Sequence, residues 1–142
     1  MKKENCKLKV GNTCHFFVLR HRRDVNYSKA VDICKKRNAD VGLIREEESY
    51  NAIVKYLRKN MPKGWVAITI WTGIQFDPLN GDVTPANSFI DWYPYQPVMG
   101  IDDKDRTNVH LVIDPNPNIR YQGMRNTFPR ANWHGVICES LI

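Results

Sequence analysis

The residues of this chain that could do chemistry are four cysteines, four histidines and two short runs of acids. Cys6, Cys14, Cys34 and Cys138 contain no C-x-x-C pair, the spacing that structural zinc and dithiol redox sites use. Cysteines so dispersed oxidise pairwise, which gives two disulfides and an oxidising compartment; four buried free thiols are the alternative. Three pairings are open. One of them closes a small N-terminal hairpin through Cys6 and Cys14 and leaves Cys34 to reach Cys138. A bridge of that span is worth roughly 4–5 kcal/mol as an upper figure in the loop-entropy model. His15, His21, His110 and His134 stand at no ligand spacing, and no Ser-His-Asp, H-E-x-x-H or phosphate-loop pattern accompanies them. Glu46-Glu47-Glu48 opens a helix, where the macrodipole favours carboxylates, and is not a set of catalytic acids. The chain reads as a binding or structural domain, not an enzyme.

The elements that must position these residues follow from apolar periodicity. Tyr27, Ala30, Val31 and Cys34 fall at i, i+3, i+4 and i+7 on one helical face, with Asn26 at the N-cap and Asn38 at the end. Tyr50, Ile53, Val54 and Leu57 repeat the pattern in a second helix that Pro62 and Gly64 stop. Strands are expected on both sides of Gly11-Asn12, over Trp65–Trp71, Asn108–Ile113, Ile119–Gln122 and Trp133–Cys138, with a short apolar segment at Val41–Ile44. Residues 75–106 lose regularity, with Pro78, Pro85, Pro94 and Pro97 and a turn signal at Asn80-Gly81. A long irregular stretch inside a compact domain is usually functional.

The 142 residues suit one domain over 1–142, large enough to bury a core. With 42% apolar and 25% charged residues the composition is that of a globular protein, and the best apolar run, Trp65–Trp71, is too short to span a bilayer. Met1-Lys2-Lys3-Glu4 is followed by no apolar stretch, so no leader is expected in this segment. The formal charge is +6, spread over Lys2, Lys3, Lys7 and Lys9, Arg20-His21-Arg22-Arg23, Lys35-Lys36-Arg37, and Arg120, Arg125 and Arg130. Most of it reads as solvated faces; a surface for sulfated glycans or acidic proteins is the sharper reading. No nucleic-acid motif accompanies the charge. Asn26-Tyr27-Ser28 is also a glycosylation sequon.

In order, these pieces resemble the C-type lectin-like domain, over nearly the whole chain. Tyr27, Ala30, Cys34, Val41-Gly42-Leu43-Ile44 and Glu48 match the family's first-helix pattern. Trp71-Thr72-Gly73-Ile74 looks like its W-I-G-L strand, Phe89-Ile90-Asp91-Trp92 like F-x-x-W, and Ile137-Cys138-Glu139 like the closing I-C-E. The resemblance implies an α+β fold: two helices flanking small antiparallel sheets, the chain ends in a hairpin, and a long loop region over one end. It also implies pairing of Cys34 with Cys138 and Cys6 with Cys14.

The departures from the pattern bear on function. Gln96-Pro97-Val98 stands where sugar-binding members carry E-P-N or Q-P-D, so Val98 replaces an oxygen ligand. Arg125-Asn126-Thr127 stands at W-N-D, keeping only Asn126. Asn108 and Arg130 lie near the positions of the family's inner loop disulfide, which is missing. Calcium takes six to eight oxygens and draws its affinity from carboxylates, so the inherited site is degenerate and no cofactor is expected. A rewired calcium site at Gln96, Asp102, Asp103, Asp105 and Asn126 is the alternative.

The resemblance thus implies an extracellular recognition module, secreted or part of an ectodomain, that binds a protein ligand or receptor without calcium. Tyr93, Tyr95, Met99, Ile101, Arg120, Tyr121 and Arg125 are the candidate contacts, being of the types that dominate hot spots. The alternatives are a calcium-dependent lectin with the rewired site, a calcium-independent binder of sulfated polysaccharide, and a purely structural spacer. No nucleic-acid partner and no membrane insertion of this segment are expected.

Overall fold

Each helix buries one stripe, and the two stripes lie on opposite faces of one sheet. The computed structural model describes residues 6–141, so the N-terminal Met1-Lys2-Lys3-Glu4 stretch lies outside the described residues. Helix α1 spans Tyr27–Lys35 and α2 spans Glu47–Lys59. The Asn26 side chain accepts the Lys29 N–H at 2.9 Å, and the chain leaves α1 through Asn38 at φ +56°. Ile33, not Val31, is buried beside Ala30 and Cys34. The fixed Cys34 and the small Ala30 set which side lies on the sheet and turn Val31 to its margin. In α2 Tyr50, Ile53 and Leu57 are buried, and Glu47 and Glu48 occupy the first turn.

The strands are β1 (Leu8–Val10), β2 (Thr13–Leu19), β3 (Asp40–Val41), β4 (Ile68–Phe76), β5 (Val83–Thr84), β6 (Asn108–Ile113), β7 (Gly123–Thr127) and β8 (Gly135–Leu141). They form one sheet in the order β1-β2-β8-β4-β6-β7, with β3 on β8 and β5 on β4. The pairing is antiparallel except between β4 and β8, which run parallel, so the sheet is mixed where only antiparallel pairing was expected. Alternation along the strands feeds two cores. Ile70, Leu111, Met124 and Ile137 face α2, whereas Trp71, Val136 and Cys138 face α1.

Three of the expected strands differ from expectation, each for a local reason. Trp65–Ala67 does not join β4: Trp65 N bonds the Pro62 carbonyl in the turn after α2, and Val66 is 78% exposed. At its other end β4 continues to Phe76 through a register shift between Trp71 and Gln75. There Thr72, the departure from W-I-G-L, donates its hydroxyl to the Val109 carbonyl at 2.8 Å and accepts the Ile74 N–H at 3.2 Å. Ile119–Gln122 is not a strand. The Gln122 Nε2 donates to the carbonyls of Asn116, Pro117 and Ile119 and curls the segment into a closed loop, and the strand forms after it as β7. Finally, Trp133 pairs only in an isolated bridge with Val25, so β8 starts later and runs past Cys138.

Covalent and polar ties join the chain ends to the centre. Cys34 is bonded to Cys138 and Cys6 to Cys14. Gly73 N donates to the Gly42 carbonyl at 2.8 Å, an approach a side chain at Gly73 would block, because its Cβ would lie 2.7 Å from the Val41 oxygen. Glu139 accepts the Leu43 N–H at 2.6 Å and both Arg45 guanidinium nitrogens, at 3.2 and 2.8 Å, with the His15 ring 3.7 Å away. Burial pushes this carboxyl up, but His15, Arg45 and the Leu43 N–H outweigh it and hold the pKa at about 2.

A carboxylate held below its unfolded pKa of 4.5 stabilises the fold fully above that value and loses its contribution as pH falls towards about 2. Glu139→Gln should therefore lower stability at neutral pH and flatten the stability curve between those two values. Urea denaturation across that range checks it. An unchanged slope would mean that the Glu139 ties contribute nothing.

Candidate functional site

The long loop region reaches its place by completing the sheet. β7 is an edge strand, and unpaired edges need cover. Met124 N donates to the Asp91 carbonyl at 2.7 Å, and Tyr93 N donates to the Met124 carbonyl at 2.8 Å. Gly123, at φ +125°, allows this docking, since a Cβ there would sit 2.8 Å from the Asp91 oxygen.

Further along the loop, Gln96, Val98 and Asn126 bond to one another. The Asn126 side-chain oxygen accepts the Val98 N–H at 2.8 Å, and its Nδ2 donates to the carbonyls of Val98, at 2.7 Å, and Arg106, at 3.1 Å. Asn126 N donates to the Gln96 side-chain oxygen at 3.3 Å. Asn126 is buried, so it forms a peptide-like clasp between β7 and the loop. The Gln96–Pro97 peptide is cis, and the buried Thr127 lies opposite Asn108 in the β6–β7 ladder. Asn108 accepts the Thr107 hydroxyl at 3.0 Å, while the Arg130 guanidinium lies over the Phe128 ring at 4.4 Å. The aspartates are not drawn into this cluster. Asp103 pairs with Arg106 at 3.1 Å, Asp102 and Asp105 are exposed, and among the described residues no three His, Cys, Asp or Glu side chains are gathered to hold a metal.

Five of the seven candidate contact residues converge. The Arg125 guanidinium lies 5.2 Å from the Tyr93 ring, Tyr93 lies 6.1 Å from Tyr121, and Arg120 lies 5.2 Å from Tyr121 and 5.8 Å from Tyr95. The contacts thus run Arg125, Tyr93, Tyr121, Arg120, Tyr95 across a surface on which Tyr95 is 85% and Tyr121 51% exposed. Tyr95 also holds φ at +68°, a conformation that L-residues rarely adopt and that collects at functional sites. Met99 and Ile101 do not join this group. Gly100 N bonds the Pro78 carbonyl at 2.9 Å and carries them to the Asp77–Asp82 turn, where they are exposed with Leu79.

Several supports had no signal in the sequence. Gln122 accepts from Arg58 at 2.9 Å and from Asp114 N at 3.1 Å, fixing the loop that presents Arg120 and Tyr121. Beside that loop runs a cleft of about 520 Å³ lined by Arg58, Asp91, Trp92, Pro94, Ile119 and Arg120, among others. Within it the Tyr50 phenol is pushed up by burial and by Asp91. On the other face of β7, Arg125 stands opposite His110 in the ladder. His110 is buried, stacked on Trp133 at 4.1 Å, and neither ring nitrogen has a partner among the described residues. Burial, then Arg125 and Arg23, lower its pKa to about 3.

The architecture matches solved structures. A herring type II antifreeze protein is similar at 16% identity and a TM-score of 0.67, covering 94% of each chain. The cow C-type carbohydrate-recognition domain of CD23, solved in the presence of an oligosaccharide, is similar at 16% identity and 0.60, covering 97% of this chain and 95% of that one. The mouse scavenger receptor C-type lectin carbohydrate-recognition domain is similar at 14% identity and 0.65, covering 94% of each. No protein-family model matches the chain, and no curated protein matches its sequence. The likeness lies in the C-type lectin-like fold.

Two outcomes follow from this geometry. Asn126→Asp removes the Nδ2 donor from two carbonyls and sets a carboxylate beside them, so stability should fall by about 1–3 kcal/mol in urea denaturation. A buried histidine held neutral destabilises the fold as pH falls below its unfolded value of 6.5 towards about 3. His110→Phe should remove that part of the acid sensitivity, as thermal melts between those pH values would record.

Proposed function

We propose that this C-type lectin-like domain is an extracellular recognition module that binds a protein partner without calcium through the surface of Tyr93, Tyr95, Arg120, Tyr121 and Arg125. The observation that carries this reading is the gathering of two arginines and three tyrosines on one face, with Tyr95, Arg120 and Tyr121 exposed. Such side chains supply large contact area at low entropic cost, and they dominate binding hot spots. The strained, exposed Tyr95 at the loop apex and the Gln122 network beneath Arg120 and Tyr121 support a preorganised contact surface. The two disulfides agree with an oxidising, extracellular setting, and among the described residues no helix is long and apolar enough to cross a membrane.

Calcium independence is supported by the Asn126 clasp. Its oxygen is already engaged by Val98 N, Gln96 by Asn126 N, and Asp103 by Arg106. A dication would have to displace these bonds without a carboxylate cluster to compensate. The clasp does for the loop mechanically what a shared metal would do.

A thermal melt in millimolar calcium should superimpose on one in excess EDTA, because a ligand bound to the native state alone would raise the midpoint. A clear calcium-dependent rise would overturn the metal-free reading and favour the lectin with a rewired site. Probing arrays of extracellular proteins and of glycans with the labelled domain tests the surface itself. Protein hits that persist in EDTA and disappear with Tyr95→Ala/Tyr121→Ala are expected. EDTA-sensitive glycan hits, or protein hits indifferent to both alanines, would contradict it.

A further inference from the structure

Some arginine side chains are held by polar groups of the chain. Arg45 is bonded to Glu139, Arg106 to Asp103, and Arg58 to the Asp114 carbonyl and Gln122. Arg120 and Arg125 differ. Their guanidinium carbons lie over tyrosine rings, 5.2 Å from the ring centre for Arg125 over Tyr93 and for Arg120 over Tyr121, and among the described residues neither guanidinium forms an ion pair or a hydrogen bond with the chain. A guanidinium held over a ring by a cation–π contact keeps its N–H groups for an oxyanion. The tyrosine pair between the two arginines, Tyr93 and Tyr121, separates the cations by two rings.

We infer that the partner presents an acidic protein segment to this face, with two carboxylates on Arg120 and Arg125 flanking an apolar or aromatic side chain against Tyr93 and Tyr121. This rests on the reading of that face as the recognition surface and names the chemistry of what it recognises. Charge complementarity favours it: the chain carries a formal +6, and the face contributes two unpaired cations. A second copy of the chain would bring like charges together. A sulfated polysaccharide repeats its charge along its length and needs successive cations in a track, whereas here ring faces interrupt the two arginines. The cleft beside Arg120, about 520 Å³, has room for a further partner side chain next to the same guanidinium.

The test is selection of a phage-displayed random peptide library on the immobilised, disulfide-bonded protein in EDTA. An enriched peptide is then labelled, and its affinity is compared with that of a counterpart whose acids are amides. Enrichment of two acids around an apolar or aromatic residue is expected. Binding should fall at least about thirtyfold, the size of a hot-spot loss, for the amide counterpart and for Arg120→Gln/Arg125→Gln. The control Lys35→Gln/Lys36→Gln should leave it unchanged. Peptides without enriched acids would overturn the inference, as would a heparin oligosaccharide being the ligand that depends on both arginines. Acidic peptides lost with Tyr95→Ala/Tyr121→Ala but kept by the arginine variant would leave the face and remove the acidic assignment. Peptides indifferent to both variants would remove the face itself.

Discussion

β7 closes the sheet on one side, and the open backbone of an edge strand has to find partners. It finds them in the loop region, through both backbone groups of Met124 and through the amide of Asn126. Everything the candidate surface offers depends on that docking. It brings Tyr93 to Arg125 and sets the neighbouring Tyr95 over Arg120, although these residues come from segments far apart in sequence. A buried side-chain amide that mimics a peptide group is an economical tie, because donor and acceptor are satisfied together with no charge to desolvate.

The same constraint accounts for the supporting shell. Gln122 ends a closed loop in which its own amide satisfies three carbonyls, and it couples that loop to α2 through Arg58. The candidate face is thus two loops, each fixed by one side-chain amide, meeting over an edge strand. Beneath it Arg125 and the buried His110 are cross-strand neighbours, so the surface and the aromatic packing of Trp71 and Trp133 share one ladder.

Much of the scaffold was legible in the residues because it depends on local periodicity and steric need. The stripe Tyr50, Ile53 and Leu57 required a sheet face, and Asn26 capped α1. The strand boundaries were less legible. Trp65-Val66-Ala67 has the composition of a strand, but the turn closing α2 holds its backbone. Ile119–Gln122 has β-forming residues, yet the Gln122 amide curls it. Composition states what a segment would pack against, and tertiary hydrogen bonds decide whether its backbone is available.

By itself the sequence determined the two helices through their periodicity, and the order of its short motifs carried the resemblance that implied the α+β fold, because side-chain chemistry and spacing are properties of the chain alone. It also supplied Tyr93, Tyr95, Arg120, Tyr121 and Arg125 as candidates by type. Only the tertiary structure decided that these five gather while Met99 and Ile101 go to another turn, and that Asn126 spends its amide on Val98 and Arg106. Which residues meet depends on where loops without periodicity come to rest, and that is fixed by long-range hydrogen bonds to an edge strand whose register no local pattern encodes.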